Sequence, residues 1–267
     1  MPRPLEGRVA VVTGGSRGIG RGIALRLARD GAHCVITYRR DAATAARTVV
    51  ALEALGVRAA AERLELAEPE QVGPVFERIA AAFGRVDMLV ANAAATAFRP
   101  LLEQKAHNVR RTFAISLDAF VAMAQAAAPL MAGRPGRIVL ISGIDSFQAM
   151  SGHGVLGAAK AAAESLVRSL ALELGPLGIT ANAVTPGFIA TDSSAYYVTQ
   201  GLGLDYERAT ARLLAATPVR RHGTPEDVAE LVAYLVSDSA SFLTGQCIVI
   251  DGGLTVTSPL SRMEDGP

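Results

Sequence analysis

The sequence predicts an α/β fold: a single domain built on a parallel sheet with helices on both faces. Three observations predict it. Short β-branched runs alternate with longer Ala/Leu/Arg stretches from residue 8 to residue 251, the rhythm of βαβ units. A glycine cluster, Thr13-Gly14-Gly15-Ser16-Arg17-Gly18-Ile19-Gly20, follows the first run and opens the first helical stretch. No Pro/Gly/Ser-rich linker and no repeat of fixed period interrupts the alternation across 267 residues, so one domain over 1–253 accounts for it.

Strands are expected near 8–13, 33–38, 57–64, 86–91, 137–142, 179–184 and 246–250. Each is nearly all apolar, as parallel strands covered on both faces should be. Helices are expected near 18–30, 41–55, 69–83, 103–132, 155–175 and 225–237, where Arg and Glu recur at spacings that leave a solvated face. Thr224-Pro225-Glu226-Asp227 supplies an N-cap, a first-turn proline and early acids, which sets the start of the last helix. The segment 186–217 breaks the rhythm and is too long for a routine connection, so 188–217 is read as a substrate lid. The tail, 254–267, is either frayed or docked on a neighbouring subunit.

Composition narrows the function. Half of the residues are hydrophobic, 19% are charged and the net charge is +1 with basic residues scattered, which gives a phosphodiester backbone nothing to grip. Nucleic acid is not an expected partner. Apolar runs fall short of the roughly 18 residues that span a bilayer, and the start lacks a secretory signal, so no membrane is expected and a cytoplasmic location is. Cys34 and Cys247 lie in β-branched runs and read as small buried hydrophobes. Four histidines without ligand spacing, and no CxxC or HExxH, predict no metal site. Of 26 basic side chains only Lys105 and Lys160 are lysines.

The glycine cluster sits between strand and helix, where glycines allow close backbone approach and the uncapped N–H groups of a helix start favour a pyrophosphate. The second strand ends Thr37-Tyr38-Arg39-Arg40, with Arg39 where an acid would bind a ribose 2′-hydroxyl. A guanidinium there, with Arg17, suits a 2′-phosphate. NADPH/NADP+ is therefore the expected cofactor in preference to NADH.

With these residues the chain resembles the short-chain dehydrogenase/reductase family over nearly its whole length. Thr13, Gly14, Ser16, Arg17, Gly18, Ile19 and Gly20 are similar to the family's TGxxxGxG loop; Glu65 matches its adenine-contacting Asp, and Asn92 in Ala91-Asn92-Ala93-Ala94 its NNAG. Asn182 to Gly187, with Thr191, resembles the segment that closes over the nicotinamide, which implies Pro186, Gly187, Ile189 and Thr191 as cofactor contacts; Asp251-Gly252-Gly253 matches the usual ending. The resemblance implies a Rossmann-type, doubly wound seven-stranded parallel sheet in the order 3-2-1-4-5-6-7 and a homotetramer.

The resemblance fails at the catalytic centre. Family members use a Ser after the fifth strand, a Tyr about thirteen residues on, a Lys four residues later and an Asn on the fourth helix. Lys160 is present, but Leu156 stands for the Tyr, Gly143 for the Ser and Ser116 for the Asn. Enoyl reductases of the family place the Tyr seven residues before the Lys, and that position holds His153, whose imidazole can give a proton. Lys160, Ser116 and His153 are thus the candidate catalytic residues, with Lys160 also holding the nicotinamide ribose. The expected substrate wall comprises Phe98, Gly143, Ile144, Asp145, Ser146, Leu156, Phe188, Tyr196 and Tyr197, with Gly143 and Leu156 widening it for a flat ring. Ser142 is expected to point away from that wall by strand alternation. The expected reaction is NADPH-dependent reduction of a ketone on a small molecule, a bulky aromatic polyketide-type metabolite, with the proton from substrate or water rather than a protein tyrosine, although Tyr196 or Tyr197 could swing in as a donor. Alternatives are an enoyl reductase using His153, a non-redox cyclase or dehydratase, and a non-catalytic NADPH-binding subunit.

Overall fold

Seven short strands form one parallel sheet in a computed structural model that describes residues 3–258. They are β1 (Val9–Val12), β2 (His33–Tyr38), β3 (Ala59–Arg63), β4 (Met88–Ala91), β5 (Gly136–Ile141), β6 (Ile179–Pro186) and β7 (Cys247–Ile250). Their order is β3-β2-β1-β4-β5-β6-β7, as the family resemblance implies. The reversal between β1 and β4 opens a crevice at the carboxyl ends of those two strands.

The helices are α1 (Gly18–Arg29), α2 (Ala42–Glu53), α3 (Val72–Phe83), α4 (Ala106–Phe113), α5 (Ala119–Leu130), α6 (Gly154–Leu174), α7 (Asp192–Tyr196), α8 (Tyr206–Ala216) and α9 (Pro225–Val236). Alternation along each strand divides the core in two. In β1, Val11 joins one cluster with Phe76 of α3, Phe120 of α5 and Val167 of α6, while Ala10 and Val12 join the other with Leu27 of α1, Leu52 of α2 and Val232 of α9. Thr224 caps α9 in a box with Asp227, as its sequence requires.

Four details differ from expectation. β3 is an edge strand with every residue at least partly exposed, and Val249 of β7 is 43% exposed, because an edge has one neighbour and incomplete helix cover. Cys34 is buried, and burial pushes its thiol up to about 12, but Cys247 at the other edge is only half-buried. The long helix is broken by one wide turn, Ala114–Asp118, between α4 and α5. By length and composition residues 106–130 also meet the requirement for a membrane span, which a count of unbroken apolar runs misses. Ile115, Ala119, Phe120, Met123, Ala124 and Ala127 of that stretch are buried in the core.

Residues 188–217, expected as a substrate lid, carry α7 and α8 rather than irregular chain. Thr191 caps α7 and Asp205 caps α8, each accepting a backbone N–H three residues on. Both lid ends are tied down: Ile189 bridges Gly223, the Ala190 N–H donates to Gly223 O at 2.9 Å, and the Val219 N–H donates to Gly252 O at 3.1 Å. Residues 259–267 of the tail lie outside the described residues.

Candidate active site

The crevice is assembled from strand ends. The N–H groups of Asn92 and Ala93, just past β4, donate to the buried Thr13 Oγ1 at 3.0 and 3.1 Å, and Asn92 Nδ2 donates to Thr13 O at 2.8 Å. Asn92 therefore braces the glycine loop. A methyl group on Gly20 would lie 2.5 Å from Asn92 Nδ2 and from Gly14 O, and Gly18 has a φ of +54°, so this tight path needs glycine at both positions. Ser16 O accepts from Thr48 Oγ1 at 3.0 Å, and Ile19 packs on the core.

Arg17 caps α1 through its backbone alone, and no acid occupies the first turn. The α1 N–H groups face the crevice with the helix dipole behind them, which fits a pyrophosphate. Arg39, at the end of β2, lies 4.0 Å from Glu65, which also pairs with Arg111 at 3.3 Å and accepts the Ala67 N–H at 3.2 Å. Glu65 thus steadies Arg39 beside the crevice. Across it, the Thr191 side chain stands 3.7 Å from where a methyl on Gly18 would project; Pro186 ends β6, and the Gly187 N–H donates to Ile250 O at 3.0 Å. Ile189 is buried in the core cluster that includes Val184 and Val228.

The catalytic side is organised around a residue that sequence reasoning placed in the wall. Asp145, in the short turn after β5, is 4% exposed; its Oδ1 accepts from Lys160 Nζ at 3.1 Å and its Oδ2 pairs with His153 Nδ1 at 2.9 Å. Burial disfavours the charged carboxylate, but the His153 hydrogen bond and the Lys160 charge outweigh it and hold Asp145 below the usual carboxylate range. His153 is the cap residue of α6, so the helix begins just after it. Its ring packs against Phe98 at 4.9 Å and edge-on to Tyr197 at 4.3 Å. Its Nε2 is buried with no hydrogen-bond partner among the described residues.

Several wall assignments change. Gly143 does not open a pocket: a methyl there would lie 2.5 Å from Lys160 Nζ and 2.6 Å from Asp145 Oδ1, so its space is filled by that ion pair. Ser146 donates to Glu164 Oε1 at 2.8 Å, together with Ser142 at 2.5 Å and Thr185 at 3.2 Å, so both serines are engaged by α6. Ile144 and Leu156 are buried, and Phe188 packs on His222 at 5.5 Å. Tyr197 donates its hydroxyl to Ser151 O at 2.9 Å; burial and then the Asp145 charge push its phenol up, so its proton is committed. Tyr196 is 60% exposed, its ring 6.5 Å from Phe98. Ser116, in the wide turn, has a buried hydroxyl with no hydrogen-bond partner among the described residues, in a cavity of about 20 Å³ that Lys160 also lines.

The arrangement brings together a helix start whose N–H groups fit a phosphate, the Lys160 ammonium and a buried His153 nitrogen without a hydrogen-bond partner among the described residues. No group of His, Cys, Asp and Glu suited to a metal occurs among the described residues. Residues 14–255 match the family described as Enoyl-(Acyl carrier protein) reductase. The chain is 39% identical to 1-cyclohexenylcarbonyl-CoA reductase of Streptomyces collinus over 94% of its own length and 88% of that protein. It is 34% identical to a hydroxynaphthalene reductase of Aspergillus fumigatus, covering 91% and 90%. Among solved structures, a short-chain dehydrogenase of Burkholderia cenocepacia J2315 in complex with NADP is 36% identical with a TM-score of 0.87, covering 94% of this chain and 99% of that one. A blue fluorescent protein from a metagenomic library in complex with NADPH is 37% identical with a TM-score of 0.86, at the same coverage. Sheet order, crevice and relatives agree, and the chain is an oxidoreductase of the short-chain dehydrogenase/reductase family.

Proposed function

We propose that the chain uses NADPH to reduce the carbon–carbon double bond of a small enoyl thioester, with His153 as the acid of the site. The cofactor is NADPH, which supplies a hydride when bound. The observation that carries the reading is the buried, unpartnered Nε2 of His153, on a ring whose other nitrogen is already held. An orphaned buried nitrogen costs about 1 to 3 kcal/mol, which a substrate oxygen accepting from the Nε2–H of the imidazolium would recover.

The place of that acid favours an enoyl group. A ketone accepts hydride on the carbon bonded to its oxygen, whereas an enoyl thioester accepts it at the β carbon, two bonds further from the oxygen. Family ketone reduction relies on a Tyr four residues before the Lys; His153 is seven before Lys160. His153, at the cap of α6, stands three residues before that family position, so a proton donor there acts from a different place than a ketone-reducing Tyr would. The imidazolium Nε2–H can hold the developing enolate oxygen and then give up its proton. Lys160 keeps hydrogens free of Asp145 for the ribose hydroxyls. The family match and the Streptomyces collinus relative support the same substrate class.

Reduction of an aromatic ketone is the second reading, favoured by the Aspergillus fumigatus relative. NADPH deuterated at the transferring position separates the two when 2-enoyl-CoA thioesters and hydroxynaphthalenones are offered. Label at the β carbon of a saturated thioester is the expected result. Label confined to a new carbinol carbon overturns the first reading, and no label in any product overturns both.

The Arg39 assignment makes its own prediction. Arg39→Ser should weaken NADPH binding about 10- to 100-fold, the worth of a charge-assisted hydrogen bond of about 1.5 to 3 kcal/mol, and leave NADH binding nearly unchanged. Fluorescence titration with both dinucleotides reads the difference.

A further inference from the structure

We infer that Asp145 is a positioning residue that fixes which nitrogen of His153 faces the substrate with an exchangeable proton, and couples that ring to Lys160. The inference rests on the reading of His153 as the acid. Both carboxylate oxygens are used, one for each partner: Oδ1 by Lys160 at 3.1 Å and Oδ2 by His153 Nδ1 at 2.9 Å. An isolated carboxylate at 4% exposure would be costly, so the two partners and the ionised Asp145 require one another.

The chemistry of the pair sets the tautomer. An ionised carboxylate only accepts hydrogen bonds, so His153 Nδ1 must carry a hydrogen. In the neutral ring Nε2 is then bare, and only the imidazolium carries a second hydrogen there. Proton delivery and recovery are thereby confined to Nε2, the atom that lacks a protein partner. The other groups facing the ring do not compete for it: Phe98 is apolar, and the Tyr197 hydroxyl is turned to Ser151 O at 2.9 Å.

Two glycines make room for this chain. A side chain at 143 would meet both Lys160 Nζ and Asp145 Oδ1, and one at 157 would overlap the Asp145 carbonyl oxygen. The missing Ser at 143 is therefore the condition for Asp145 to reach its partners. The turn before His153 shows the same tailoring: Gly152, at a φ of +73°, brings the chain close to the backbone of Phe98 and Arg99.

Nitrogen-15 NMR of the full-length, cofactor-free protein tests the inference without any substrate. His153 should carry its hydrogen on Nδ1 in the neutral form. His33 provides the opposite reference, because its Nδ1 accepts the Arg58 N–H at 3.1 Å, leaving its hydrogen on Nε2. In Asp145→Asn the His153 hydrogen should redistribute toward Nε2, and enoyl reduction should fall by about 10²-fold or more, the scale of a misplaced proton donor. Gly143→Ser, which restores the family's hydroxyl, should lower activity as well. A wild-type hydrogen on Nε2, an unchanged tautomer in Asp145→Asn, or a gain of activity in Gly143→Ser would each overturn the inference. Failure of the wild type to reduce any enoyl thioester defeats the substrate reading alone, since the tautomer is measured separately.

Discussion

Replacing His153 with alanine should lower kcat/KM for enoyl reduction by about 10²- to 10⁴-fold, the range a positioned proton donor contributes. The loss should fall on kcat, because His153 touches none of the residues that form the phosphate cradle. Those residues, from Thr13 to Gly20 with Asn92 and Arg39, lie at the ends of β1, β2 and β4, whereas His153 caps α6. NADPH affinity is therefore expected to be retained, and a fluorescence titration beside steady-state kinetics reads both quantities. His153→Gln should be intermediate: the amide can still donate a hydrogen bond to the oxygen but has no proton to release. Equal rates in wild type and both variants would remove His153 from the chemistry and return attention to substrate or water as the donor.

Gly157→Ala should damage stability and activity together. Its new methyl group would occupy the place of the Asp145 carbonyl oxygen, which is backbone and cannot swing aside. Overpacking of this kind costs about 1 to 3 kcal/mol. For a chain of this size each kcal/mol lowers Tm by about 2 to 4 °C, so a fall of roughly 2 to 12 °C is expected in a thermal melt. The same displacement carries Asp145 away from Lys160 and His153, so activity at a temperature where the variant is still folded should drop as in Asp145→Asn. A variant that melts lower yet keeps full turnover would separate the turn from the chemistry.

The cofactor half of the molecule was legible in the sequence because phosphate recognition is local. Backbone N–H groups, two or three glycines and a helix start lie within eight consecutive residues, and Arg39 follows directly on a strand. The sheet order came with the family resemblance and is the observed one. The acid side was legible only in part, because it is built by packing. Asp145, His153 and Lys160 converge only when the turn after β5 folds onto α6, and one-dimensional spacing cannot report that a glycine at 143 accommodates a carboxylate instead of opening a pocket. The pairing of Gly143 and Gly157 around a lone Asp was the available signal. The lid helices were within reach too: Asp205 ahead of Tyr206-Glu207-Arg208 is an ordinary helix start. The exposure of β3 follows from its place at the sheet edge, which residue type does not encode.

The two ties at the base of the lid have a consequence for how such enzymes diversify. With Ile189 and Ala190 fastened to Gly223, and Val219 fastened to Gly252, the stretch between is a cassette held at its base, which meets the sheet and helices beneath through a few side chains such as Thr191 and Tyr197. Insertions there add little closure entropy, since each doubling of a loop costs only about 0.6 kcal/mol. A segment transplanted from a relative between the same anchor points, with Thr191 and Tyr197 retained, is expected to exchange the choice of substrate while the sheet below stays in register.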